Sequence, residues 1–173
     1  MLLQDSRREA RVNAQGELIT LEEQDRSLWD VEEIEKGIRL VEKALALGQA
    51  GNYQIQAAIA AVHCEAMSAE ETDWRQIVAL YEELLRITSS PVVALNHAAA
   101  VAMSEGFERG LSLIETAGAG GTLKNYYLFH ASRADLLRRL NRTDEAAVAY
   151  RRALDLTTNS VEQNYIRRRL LDK

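Results

Sequence analysis

The side chains able to ligate a metal or attack a substrate are few: one cysteine, Cys64, and three histidines, His63, His97 and His130. His63, Cys64 and Glu65 stand in a row as "HCE", which has the donor types of a zinc site. The spacing defeats it. Neighbouring helical residues point about 100° apart, so three in succession cannot converge on one ion. His97 and His130 fall in other segments, and neither has a ligand type three or four residues away, the spacing by which helical zinc sites declare themselves. Cys64 lies in the alanine-rich "AAIAAVHCEAM", which predicts a buried, inert thiol. There is no G-x-S-x-G turn, phosphate loop or dinucleotide fingerprint. "GAGG" at Gly118–Gly121 follows a helical stretch rather than a strand and reads as a connector. Carboxylate pairs such as Glu22/Glu23 and Glu82/Glu83 are consecutive, hence splayed and solvated. No catalytic residue, cofactor or metal site is expected, and the chain does not read as an enzyme.

The remaining chemistry is charge. Residues 1–120 hold 10 Lys/Arg against 20 Asp/Glu, whereas residues 121–173 hold 11 against 6. Phosphate affinity comes from Lys and Arg, so the acidic front is a poor nucleic-acid binder. "LLRRL" at 136–140 and "RRRLL" at 167–171 add positive charge without interleaved aromatics, near helix C-termini where cations suit the dipole. This basic end could meet an acidic partner surface or DNA, or form a solvated face.

The elements that carry these residues follow from length and periodicity. At 173 residues the chain suits one domain or a run of small stacked units. A lone cysteine excludes an internal disulfide framework and fits a reducing cytoplasm. No apolar run approaches the roughly 20 residues of a bilayer span. A cytoplasmic protein without membrane contact is expected. Residues 1–30 are set apart as a connector: "ARVNAQGELITL" predicts a short β-hairpin turning at Asn13–Gly16. Residues 31–173 read as helices. "DVEEIEKGIRLVEKALALG" sets Val31, Ile34, Ile38, Val41 and Leu45 on one stripe, with Asp30 as N-cap and Gly48 as terminator. Ser68 and Glu71 predict a capping box before "TDWRQIVALYEELLRI". Ser90 and Pro91 open the next helix, Gly106 breaks the chain, and Ser160 with Gln163 caps the last one.

Within "LNRTDEAAVAYRRALDLTTN", Ala146, Tyr150 and Ala153 form a small–aromatic–small pattern. Displaced by 35 residues it falls on Leu111, Glu115 and Gly118, and by a further 34 on Ile77, Tyr81 and Leu84. Ala134 and Leu137, and one unit earlier Ala99 and Ala102, take the close-contact positions of the preceding helices. This resembles the tetratricopeptide repeat, a helix–turn–helix of roughly 34 residues. His130, Arg133, Asn141, Thr158 and Glu115 depart from the usual residues. The expected fold is all-α: a right-handed α-solenoid of stacked helical hairpins, preceded by the small hairpin. In such a stack the first helix of each pair lines the concave face. That face would present Val93, Asn96 and Met103 in one pair and Asp135, Arg138 and Arg139 in the next. Trp29, a large aromatic within the polar "DRSLWD", is expected to anchor this stretch back onto the helices, and it joins the groove residues as a candidate for partner binding.

The N-terminal "MLLQDSRREARVNAQGELITLEEQDRSLWD" is similar to the segment that follows the second DNA-binding domain in a group of extracytoplasmic-function (ECF) sigma factors. The runs "YQIQAAIAAVHCEAMSAEETDWRQIVALYEELLRITSSPVVALNHAAAVAM" and "SRADLLRRL" also resemble the helical C-terminal extension of that group, collinearly. The resemblance implies a regulatory protein-interaction domain acting in bacterial transcription initiation. Its partners would be the sigma domains, the RNA polymerase core or a small regulatory protein. Promoter DNA would be read only by two domains expected to lie outside this chain, with Met1–Leu3 as the tail of a helix from the second. The alternative is a stand-alone tetratricopeptide-like scaffold for peptides or proteins.

Overall fold

Helix-forming composition and one proline are realised as helix over most of the described residues. The structure, a computed structural model, describes residues 1–48 and 50–171. Two compact units divide it, Met1–Thr88 and Ser89–Lys173. The first unit comprises α1 (Leu2–Asp5), 3-10 turns at Arg8–Ala10 and Arg26–Leu28, α2 (Val31–Leu45), α3 (Asn52–Glu65) and α4 (Trp74–Ile87). The second comprises α5 (Pro91–Glu105), α6 (Phe107–Gly118), α7 (Tyr127–Arg139), α8 (Thr143–Leu156) and α9 (Ser160–Leu171).

The expected β-hairpin does not form a sheet. A single antiparallel bridge joins Val12 to Leu18, with Gly16 at φ +75° in the turn between them. Asn13 consumes the local hydrogen bonds instead: its side chain accepts from Gln15 N and Glu17 N and donates to Glu17. A two-stranded ribbon this short is marginal, and only the turn with its one bridge forms.

Helix starts follow side-chain chemistry. Asp30 accepts from Glu33 N, and Ser90 from Val93 N with Pro91 behind it. Gly106, at φ +108°, separates α5 from α6 in a conformation that L side chains rarely adopt. Two caps move from the expected residue. Asp73, not Ser68, caps α4 by accepting from Gln76 N. Asn159, not Ser160, accepts from Val161 N and Glu162 N at the start of α9. The stripe of α2 is also narrower than its period suggests: Ile34, Ile38 and Val41 pack inward, while Val31 and Leu45 at its ends are exposed.

Each helix of the second unit packs mainly on its chain neighbours, α5 on α6, α6 on α7, α7 on α8 and α8 on α9. Ala134, Leu137, Ala146, Tyr150 and Ala153 are all buried in one apolar cluster that also takes Leu95, Ile114 and Ile166. Small residues set the spacing. A Cβ on Gly110 would stand 2.3 Å from Ala102 Cβ and 2.9 Å from Ala98 O, so α5 and α6 touch through Ala98 and Ala102. Ala98, rather than the expected Ala99, is the contact residue; Ala99 is only half-buried. The first unit buries Ile55, Ile59, Val62, Ile77 and Leu84 along α3 and α4. A second cluster gathers Leu3, Ala10, Trp29, Ala61 and Cys64. Among the described residues no helix is long and apolar enough to cross a membrane.

Candidate functional site

The residues expected on the concave face fall into two groups on different helices of the second unit. On α7, one carboxylate holds two cations. Arg138 Nη2 donates to Asp135 Oδ1 at 2.8 Å, and Arg139 Nε donates to Asp135 Oδ2 at 2.7 Å. The spacing i, i+3 and i+4 on one helix makes this geometry possible. The three side chains are 22–30% exposed, so this is a half-sheltered cluster rather than a free basic patch. Arg139 also lies over the Phe107 ring, 5.2 Å from its centroid. Hydrogen bonding to Asp135 holds Arg138 above its ordinary value. Beneath them, burial and then the Asp135 carboxylate push the Tyr150 hydroxyl up to about 12. On α5, Asn96 is exposed while Val93 and Met103 are half-buried. The arrangement offers hydrogen bonding and one net positive charge.

Trp29 sits elsewhere, in the first unit, and is 5% exposed. It docks the "DRSLWD" stretch onto α2 and α3, packed with Leu3, Ile34, Ile38 and Ala61. At 5% exposure it leaves little surface for a partner to touch. The residue that holds the stretch in place was not singled out from sequence: Arg26. Its guanidinium donates to His63 O at 3.0 Å and to Ala66 O, the carbonyls at the end of α3, and to Thr72 Oγ1 at 3.2 Å. These are carbonyls a helix terminus leaves without intrahelical donors. The same guanidinium stacks on Trp29, 4.8 Å from the ring centroid, and Arg7 approaches at 5.6 Å. The signal available in sequence was the i, i+3 pair of Arg26 with Trp29; the partners on α3 lie about forty residues away and left no local trace.

The potential ligands stay apart. His63 packs edge-on against Trp74 at 5.2 Å, and burial first, then the charges of Arg7 and Arg26, lower it from 6.5 to about 4. Cys64 is buried, its thiol donating to Leu3 O at 3.4 Å, and burial raises its pKa. His130 Nε2 pairs with Lys124 O at 2.9 Å. Among the described residues no three His, Cys, Asp or Glu side chains are grouped to hold a metal ion.

A cleft of about 670 Å³ opens between the Glu22–Val31 stretch and the Ala66–Glu70 loop after α3, with Trp29, Ile34 and Cys64 behind it.

Residues 1–45 match a family of unknown function (DUF6596). No solved structure matches the chain. Over 170 residues the chain is 45% identical to an uncharacterized protein of Rhizobium meliloti (strain 1021). That alignment takes in 98% of this chain but 40% of the relative, so the chain spans about two-fifths of the curated protein it is similar to.

Proposed function

We propose that this chain is the regulatory, protein-binding C-terminal region of an ECF-type sigma factor, serving bacterial transcription initiation. What supports the reading most directly is the match of residues 1–45, since that domain is found C-terminal to ECF sigma factors in some proteins. The greater length of the Rhizobium meliloti relative leaves room for promoter-reading domains there. In this reading the helices of the second unit are tetratricopeptide-like hairpins of a right-handed α-solenoid. The burial of Ala146, Tyr150 and Ala153 and the neighbour-on-neighbour packing support it. The α5 and α7 faces, with Val93, Asn96, Met103, Asp135, Arg138 and Arg139, form the wall that grips the sigma domains, the polymerase core or a small regulatory protein. Binding there biases the active conformers of the whole factor by differential affinity.

The test begins with the gene. An open reading frame that continues upstream of the Met1 codon into two sigma domains is expected; an in-frame stop before any such domain overturns the proposal. Where those domains are present, Arg138→Glu with Arg139→Glu weakens their co-purification with residues 1–173 while the circular dichroism stays helical.

A further inference from the structure

The cleft of the first unit has a floor and a rim of opposite character. Trp29, Ile34 and Ala66 furnish apolar floor, and two further apolar side chains stand at its edge far more exposed than a soluble core requires: Val31 at 63% and Met67 at 81%. Leu28, in the turn beside it, is 53% exposed. Exposed aliphatic side chains grouped around a concavity mark a binding surface more often than scattered ones do. The volume lies in the range that accepts several side chains or a small ligand.

The rim is acidic. Glu22, Asp25 and Glu70 line it, and Arg26, the one lining cation among the described residues, is turned to the α3 carbonyls and the Trp29 face. Asp25 is held ionised by the Ser27 hydroxyl and N–H. The unit as a whole reinforces this field, with 9 Lys/Arg against 17 Asp/Glu over residues 1–88. Such a surface repels phosphate, which disfavours nucleic acid and anionic lipid, and attracts cations flanking an apolar group. In the cleft wall the indole N–H of Trp29 has no acceptor among the described residues.

We infer that this cleft docks a basic segment of a protein partner, one in which leucine-like side chains enter the apolar floor between Lys or Arg residues that meet the acidic rim. The inference rests on the chain being a protein-binding module, and not on its belonging to a sigma factor. Exposed Met67 and Val31 supply contact area, Glu22, Asp25 and Glu70 supply orientation and encounter rate, and complementarity of charge selects the partner's sequence.

The experiment titrates residues 1–173 into a fluorescein-labelled peptide of about twelve residues in which leucines alternate with pairs of Lys or Arg, read by anisotropy. Two control peptides replace every cation by Glu, or every leucine by Ala. The basic leucine peptide binds, and its affinity falls by about tenfold when monovalent salt rises from low to several times physiological strength. The Glu peptide fails to bind and the Ala peptide binds at least about tenfold more weakly. Met67→Lys with Glu70→Lys, both at exposed positions, reduces affinity by about tenfold or more with an unchanged melting temperature. Absence of binding by the basic peptide, equal binding by either control, or wild-type binding by the Met67/Glu70 variant overturns the inference. None of those results bears on the upstream reading frame, so the two proposals fail separately.

Discussion

His63 is the residue whose protonation the fold opposes most visibly. In the unfolded chain it titrates near 6.5; in the folded chain burial and two nearby guanidinium groups bring it to about 4. Between those values the unfolded state binds more protons, so stability decreases as pH falls from 6.5 toward 4 and is regained above 6.5. The loss is on the order of 3 kcal/mol once the pH has fallen to the folded value. His63→Gln removes this component: urea unfolding of wild type and variant should show the wild-type advantage shrinking through that window. A difference that stays flat with pH would exclude His63 as its source. At this scale the shared face of Asp135, Arg138 and Arg139 followed from their i, i+3 and i+4 spacing, whereas their pairing, which removes the free basic patch, was not foreseen. Nor was Arg26, because its acceptors are backbone carbonyls of a helix far along the chain.

Between elements, the contact of α5 with α6 depends on having no side chain at Gly110. Gly110→Val places carbon within 2.7 Å of Ala102 Cα, backbone that cannot rotate away. Overpacking of this kind costs about 1–3 kcal/mol. Gly120→Ala, which meets nothing within 4 Å, changes stability by less than about 0.5 kcal/mol either way. Chemical denaturation of both variants checks the pair, and equal effects would mean that the helices have room to part. Helix existence was readable from periodicity, and so were caps where one Asp or Ser immediately precedes the helix, as at Asp30 and Ser90. Where several candidates stood close together, at Ser68 and Asp73 or at Asn159 and Ser160, the later choice of turn decided between them and sequence did not. The hairpin reading failed for a different reason. Alternation around Asn13–Gly16 is satisfied by one bridge and an Asn-centred turn, with no third strand among the described residues to extend it.

At the scale of the chain, the two units differ in charge as well as in sequence. Residues 89–173 carry 12 Lys/Arg against 9 Asp/Glu, the reverse of the balance in residues 1–88. The apolar cluster from Leu95 to Ile166 lies wholly within the second unit. Expressed alone, residues 89–173 should therefore unfold in one cooperative transition and be retained on a cation exchanger at neutral pH, where the whole chain, at −5, is not. A fragment with no cooperative transition would show that its core needs residues 1–88. The cleft was invisible in the sequence because its walls, around Asp25 and Met67, come from segments some forty residues apart that only α2 and α3 bring together. The fastening of Arg26 and Trp29 has a mechanical corollary. A stretch whose indole is sunk among three helices and whose guanidinium grips the tip of one of them is no slack tether. The stretch is set in those helices like a spoke in a hub, and swinging it aside means prising out ring and fork together.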